Sequence, residues 1–173
     1  GVSRSFGGLR AVDVEHLEVQ RGLITSMIGP NGAGKTTLFN LLTGFDRADS
    51  GTWSLDGTSL TGRPPFQVAR AGMVRTFQLT KALAKMSVLE NLLLGAANQR
   101  GERLRAALAP RLWHVQEREV LERAEELLRR FKLDHMRDQY AGTLSGGQRK
   151  LLEMARALMV EPKVILLDEP MAG

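Results

Sequence analysis

Eight residues, Gly29-Pro30-Asn31-Gly32-Ala33-Gly34-Lys35-Thr36, constrain the fold of this chain more than any others. They fit G-x-x-x-x-G-K-[ST], a pattern that works where a strand ends and a helix begins. The apolar run Leu23–Ile28 precedes them and reads as the strand. Leu38, Leu41 and Leu42 follow at helical spacing, so a helix is expected from Gly34 to Thr43. The glycines let backbone N–H groups turn inward round phosphate oxygens, and the helix presents its positive end to them. Asn31, Gly32, Ala33 and Gly34 are therefore expected to line a phosphate cradle. Lys35 is expected to reach the β- and γ-phosphates of a nucleotide, Thr36 to hold Mg²⁺, and Thr37 to add a hydroxyl near the α-phosphate. A plain glycine-rich turn is the competing reading, and both flanks speak against it.

Val164–Leu167 is a continuous apolar run, as a strand buried on both faces requires, and it ends in Asp168-Glu169. Asp168 at such a strand end can bind Mg²⁺ through water, and Glu169 is placed to polarise an attacking water. An acid pair that merely caps a following helix is the bland alternative, weakened by the phosphate loop upstream. Phosphoryl transfer asks a protein for little covalent chemistry. It asks for a positioned water, a cation and charge compensation, and Lys35, Thr36, Asp168 and Glu169 meet that need.

Leu144-Ser145-Gly146-Gly147-Gln148 is a second glycine-rich segment before a helix. Ser145 can donate to a γ-phosphate oxygen while Gly146 and Gly147 allow close backbone approach. Ser145 can equally be the helix N-cap, and one hydroxyl can serve both purposes in different states. One nucleotide does not need two such loops from one chain, so the second is expected to be offered to a partner's nucleotide.

The remaining composition narrows the class. At 173 residues, 43% of them hydrophobic, the chain is one domain's worth and can bury a core. Its net charge of +5 permits nucleic acid, anionic lipid or phosphate ligands, but the bases are mixed with acids along helices, which favours solvated faces. Without cysteine there is neither a disulfide scaffold nor thiolate chemistry. His16, His114 and His135 are scattered and form no ligand cluster. No apolar run approaches the roughly 20 residues of a membrane span, and no segment reads as a signal peptide.

Local patterns give the order of elements. Residues 1–28 read as strands, with Val12, Val14, Leu17 and Val19 ahead of the turn signal at Gln20-Arg21-Gly22. Thr52–Leu55 followed by Asp56-Gly57 reads as a strand and hairpin turn. Ser87-Val88-Leu89-Glu90 fits a capping box. Over 117–132, Val120, Leu121, Ala124, Leu127, Leu128 and Phe131 form one apolar stripe, flanked by the pairs Glu119/Arg123, Glu125/Arg129 and Glu126/Arg130. A further helix over 148–159 is expected to bury Leu151, Leu152, Ala155 and Leu158. Residues 99–111, basic and alanine-rich, fit no element. The sum is an α/β core interrupted by a helical subdomain.

The three ordered motifs resemble those of ATP-binding cassette (ABC) ATPases over nearly the whole chain. The resemblance implies a P-loop NTPase (RecA-like) core with an antiparallel β subdomain, over residues 1–80 and 160–173, and an inserted helical subdomain over 81–159. It implies that Leu144–Gln148, with Ser145, Gly146, Gly147 and Gln148, completes the ATP site of an opposing subunit. Gln78, in Arg75-Thr76-Phe77-Gln78, matches the glutamine that contacts Mg²⁺ or the attacking water, and Phe6 matches the aromatic that stacks on adenine, although core packing also suits Phe6. Phe6–Val12, Arg75–Gln78 and Leu167–Gly173 resemble the branched-chain amino acid importers in particular. Residues 79–91 resemble the surface that receives a coupling helix of the membrane subunits, with core packing as the alternative for Leu79, Leu83 and Met86. Residues 92–116 fit the extra helical stretch of that subfamily. The family's switch histidine follows the acidic pair, and all three histidines here precede Asp168, so the sequence reads as C-terminally truncated and Val164–Leu167 is expected to have an uncovered neighbour.

The expected function is the ATP-binding and hydrolysing subunit of an importer for a small solute such as branched-chain amino acids. The expected partners are ATP with Mg²⁺, a second ATPase subunit and integral membrane permeases. The chain would lie on the cytoplasmic face of the membrane without inserting, and no nucleic acid is expected. The rival is a soluble ABC ATPase that acts on nucleic acid or ribosomes. A third reading is a nucleotide-binding fragment that binds ATP without turnover.

Overall fold

The structure, a computed structural model, describes residues 1–76, 83–96 and 114–168. Gln78, Leu79, the unassigned stretch 99–111 and Glu169 lie outside the described residues, as do residues 170–173. The chain divides into two compact units, Gly1–Val74 and Arg75–Gly173.

In the first unit, β1 (Val2–Phe6) pairs antiparallel with β2 (Leu9–Val14) and with β3 (Ser50–Gly51), in the order β2-β1-β3. The β1–β2 register runs Arg4↔Val12 and then Ser5↔Arg10, so Ala11 is an extra residue in β2, a bulge. Helix α1 (Lys35–Leu42) covers this sheet, burying Leu38 and Leu41 against Val2 and Val12. That core is small, and the Trp53 indole closes one side by donating to the Leu42 carbonyl at 3.2 Å. β4 (Ser54–Leu55) and β5 (Thr58–Ser59) form the expected hairpin. Asp56 and Gly57 at its turn have φ of 48° and 75°, the paired positive values that a two-residue turn needs if its twist is to match the strands. A short helix α2 (Pro65–Arg70) begins on proline, whose missing N–H costs nothing in a first turn.

The apolar run Leu23–Ile28 is not a strand. It runs extended in composition only: Ile24 is 98% and Ile28 93% exposed, and Leu17 and Val19 are also exposed. A strand exists by hydrogen bonding to a neighbour, and this segment has no ladder partner among the described residues. Its sequence supplies the side chains of a buried strand but not the strand beside it.

The second unit is helical. α3 (Val88–Leu93), α4 (His114–Arg130) and α5 (Gly146–Leu158) pack round Val88, Leu92, Leu127, Leu128 and Leu152, all essentially buried. The stripe on α4 faces this core as its spacing dictates. Of the expected pairs on it, Glu126–Arg130 forms at 3.7 Å. Glu125 turns instead to Arg137 at 3.2 Å, and Arg123 reaches Glu126 and Glu161. On α5, Leu152 and Ala155 are buried as expected, whereas Leu151 is exposed and Glu153 is buried in its stead. Leu158 packs partly buried against the same core, so the apolar face departs from the sequence reading only on its Leu151 edge. Gly95, just after α3, lets the helices approach closely, since a Cβ there would lie 2.6 Å from the Arg156 carbonyl oxygen. β6 (Met73–Arg75) and β7 (Val164–Leu166) form a two-stranded sheet, with the Thr76 N–H donating to the Leu166 carbonyl at 3.0 Å. β7 is half-buried rather than buried on both faces. One described neighbour does not enclose it.

Candidate functional site

In the first unit the loop Gly29–Thr36 leads directly into α1, whose first residue is Lys35. Gly34 occupies the N-cap position at φ 83°, in the left-handed region. A Cβ there would overlap the carbonyl oxygen of Ala11, the bulge residue of β2. The bulge therefore presents one carbonyl to the loop, and only glycine can pass beneath it. The first turn of α1 has no side-chain cap and no acidic residue. By contrast α3 and α5 each begin with a serine capping box. The helix that follows the phosphate loop thus has no side-chain cap at its positive end.

Lys35 bends back over the loop. Its Nζ donates to the carbonyls of Gly29 at 2.6 Å and Pro30 at 2.7 Å. The ammonium is satisfied by its own loop. Asn31, Gly32 and Ala33 are exposed on the loop, and the Ala33 N–H closes a turn on the Pro30 carbonyl at 3.2 Å. Thr36 is exposed and Thr37 half-buried on the first turn of α1.

Phe6 ends β1 and is 48% exposed, so it is not part of the core. The guanidinium of Arg4, two residues earlier on the same face of the strand, lies 4.7 Å from the ring centroid. Sequence reading singled out Phe6 and missed Arg4.

In the second unit Asp168 follows β7 and is buried. Its carboxylate takes a 2.6 Å hydrogen bond from Arg75, and both side chains are only 7% exposed. Arg75 stands at the end of β6, so the Thr76–Leu166 backbone bond sets the two strand ends side by side. A guanidinium is the natural counter-charge for a carboxylate held out of water. The pair was missed because 93 residues separate its members.

Ser145 is the N-cap of α5, as its bland reading had it. Its Oγ accepts from the Gln148 N–H at 3.2 Å, and the Gln148 Oε1 accepts from the Ser145 N–H at 2.8 Å. The S-x-x-Q spacing was there to be read, as S-x-x-E was at Ser87. Ser145, Gly146 and Gly147 are exposed, and nothing lies within 4 Å of a Cβ built on either glycine. The N-terminus of α5 therefore faces outward. Near it, Asn91 is fully buried and brackets the chain before α3: it accepts from the Leu83 N–H at 2.8 Å and donates to the Leu83 and Ser87 carbonyls. This leaves Leu83 exposed and Met86 half-buried.

Among the described residues no group of three or more His, Asp or Glu could hold a metal by itself. No described helix is long and apolar enough to cross a membrane.

The ABC transporter family model matches residues 12–172. A probable branched-chain amino acid transport ATP-binding protein, LivG, of Archaeoglobus fulgidus is 47% identical over 172 residues, covering 99% of this chain and 66% of the relative. Its counterpart in Methanocaldococcus jannaschii is 44% identical over 172 residues, with 99% and 66% covered. The chain thus spans about two thirds of the length of these curated relatives. A solved ATP-binding cassette of an ABC transporter, in its ADP conformation, superposes with a TM-score of 0.82 at 44% identity, over 99% of this chain and 67% of that one.

Proposed function

The chain belongs to the ABC transporter family and has the P-loop NTPase fold of its cassettes, and on that premise we propose that it is the ATP-binding and hydrolysing subunit of an importer for a small solute such as branched-chain amino acids. The observation that carries the reading is the Gly29–Thr36 loop, pressed by Gly34 under the Ala11 carbonyl and opening onto an uncapped helix. The names of the relatives support the solute class. They do not favour the rival of a soluble ATPase acting on nucleic acid or ribosomes.

In this reading residues 1–80 and 160–173 are the catalytic core with its β subdomain, and 81–159 the helical subdomain. The amides of Asn31 to Thr36 hold the phosphates, Lys35 exchanges its loop carbonyls for β- and γ-oxygens, and Thr37 lies near the α-phosphate. Phe6 stacks on adenine. Mg²⁺, if bound, would supply charge neutralisation as negative charge develops on the phosphate. Thr36, Asp168 and Gln78 hold it on the protein side. Glu169 polarises the attacking water, and Gln78 contacts that water or the Mg²⁺. Ser145, Gly146, Gly147 and Gln148 close the site of a second ATPase subunit. That closure drives permease subunits, which receive the surface around Leu83 and Met86, from one state to another. The subunit is peripheral on the cytoplasmic face.

The test is Glu169→Gln in the full chain with its partners. ATP binding is expected to persist within about twofold while steady-state phosphate release falls by at least about a hundredfold. Turnover near wild type would remove Glu169 from its role.

A further inference from the structure

We propose that Arg4 is a positioning residue for the adenine platform, tying the Phe6 ring to the far end of the helix that carries the phosphate loop. The inference rests on the reading of Phe6 as the base-stacking residue and adds what fixes that ring in place.

Arg4 and Phe6 share a face of β1, and the Arg4 guanidinium lies flat enough over the ring to sit 4.7 Å from its centroid. It is not free to leave. One terminal nitrogen meets the Asp49 Oδ1 at 2.8 Å and the other the Asp46 Oδ1 at 3.1 Å. Its Nε is buried and makes no hydrogen bond, so the two carboxylates and the ring are what hold the group. Asp49 is itself pinned to β1: the Ser5 N–H donates to its Oδ2 at 2.7 Å, and its own N–H donates to the Ser3 carbonyl at 2.9 Å. The Asp49 carboxyl is held below the ordinary carboxylate range, chiefly by the Ser5 N–H and then by the Arg4 guanidinium.

Asp46 and Asp49 belong to the segment that leaves α1, and Lys35 begins α1. At 1.5 Å per residue, α1 is a strut of about 12 Å between the phosphate loop and this pair of carboxylates. The chain of contacts runs from phosphate loop through α1 to Asp46 and Asp49, then through Arg4 to Phe6. It sets the distance from the phosphate cradle to the ring, which is the distance a nucleotide must match. With the guanidinium on one face, the opposite face is the one a purine would stack on, and Phe6 is 48% exposed.

The experiment compares binding of ATP and of inorganic tripolyphosphate to the full chain by calorimetry, for Arg4→Met, Arg4→Lys, Phe6→Ala and Arg4→Met/Phe6→Ala. A merely structural role for Arg4 would weaken both ligands together. The proposal expects Arg4→Met to weaken ATP by roughly tenfold, a stacking-sized effect, with tripolyphosphate within about twofold, which also certifies a folded phosphate loop. Arg4→Lys, which keeps the charge but loses the fork, is expected to recover part of the loss. The double variant is expected to bind ATP no worse than Phe6→Ala, because Arg4 acts through the ring. Additive losses, an unchanged ATP affinity in Arg4→Met, or equal loss of both ligands would each overturn it. An unchanged ATP affinity in Phe6→Ala, with tripolyphosphate still bound, would overturn the platform and Arg4's role while sparing the phosphate loop. Failure of the wild-type chain to bind tripolyphosphate would overturn the nucleotide reading itself.

Discussion

Gly34 has the least latitude of any residue in the phosphate loop, and two separate constraints agree on it: a positive φ and a carbonyl where a side chain would begin. Gly34→Ala is expected to cost about 2 kcal/mol or more in denaturant unfolding and to abolish tripolyphosphate binding, because relief of the overlap must shift either the bulge or the loop. The motif made Gly34 legible as a glycine but gave no hint of Ala11, since a bulge is a property of strand register rather than of residue type. The same holds for Arg75 and Asp168. Each is legible only as a strand-end charge until pairing of β6 with β7 brings them together. Arg75→Met is expected to destabilise the second unit by about 3–5 kcal/mol, because it leaves a buried carboxylate without its guanidinium. Arg75→Met combined with Asp168→Leu should recover most of that, and equal loss in both variants would show that packing rather than charge is at stake. Asp49 supplies a pH test. Its carboxyl is held below the ordinary 3.8, so what the ionised form contributes is fully present above that value and is lost only as pH falls through the lower folded-state value. An NMR titration of the Asp49 side-chain carbon should have its midpoint below 3.8, and Arg4→Met should move that midpoint upward.

At the scale of elements, the helices α1, α3, α4 and α5 were readable because each carries its own evidence, whereas α2 was not read. The apolar stripe of α4, the Ser87–Glu90 box and the glycine before α1 are all local, and each element stands within a few residues of its expected place. Strands were less readable in proportion to how far away their partners lie. The β4–β5 hairpin closes over two residues and was legible from Asp56-Gly57 alone. Leu23–Ile28 has the composition of a central strand and lies exposed, since no residue near it in sequence can decide who pairs with it. The register of α5 failed differently: Leu151 and Glu153 flank the true centre of the buried face, and hydrophobicity alone cannot see that Glu153 is covered. The capping boxes yield a contrast that can be measured. Ser87→Ala and Ser145→Ala each remove one N-cap acceptor and should each cost about 1 kcal/mol of stability. Only Ser145→Ala should also impair ATP turnover by the assembled transporter, and equal turnover in the two variants would reduce Ser145 to a cap.

For the whole molecule, the decisive question is whether two anion-binding helix ends on one chain serve one nucleotide or two. The capping box on α5 satisfies its first turn from within, yet Ser145, Gly146 and Gly147 stand exposed with open space before both glycines. The first turn of α1, by contrast, has neither a side-chain cap nor an acidic residue. The proposed function would give the two ends unequal tasks: α1 to bind, and α5 to close over what another subunit has bound. Ser145→Arg separates these tasks, because a bulky side chain on an open face does not disturb the first unit. The isolated chain carrying Ser145→Arg should keep its ATP affinity within about twofold, measured by equilibrium dialysis, whereas Lys35→Ala should lose at least about tenfold. Yet both should fail to associate with a second ATPase subunit on addition of ATP in sedimentation velocity, one for want of the nucleotide and the other for want of room to close. If Ser145→Arg weakens ATP binding by the isolated chain as far as Lys35→Ala does, α5 contributes to its own chain's nucleotide, and the shared pocket is refuted.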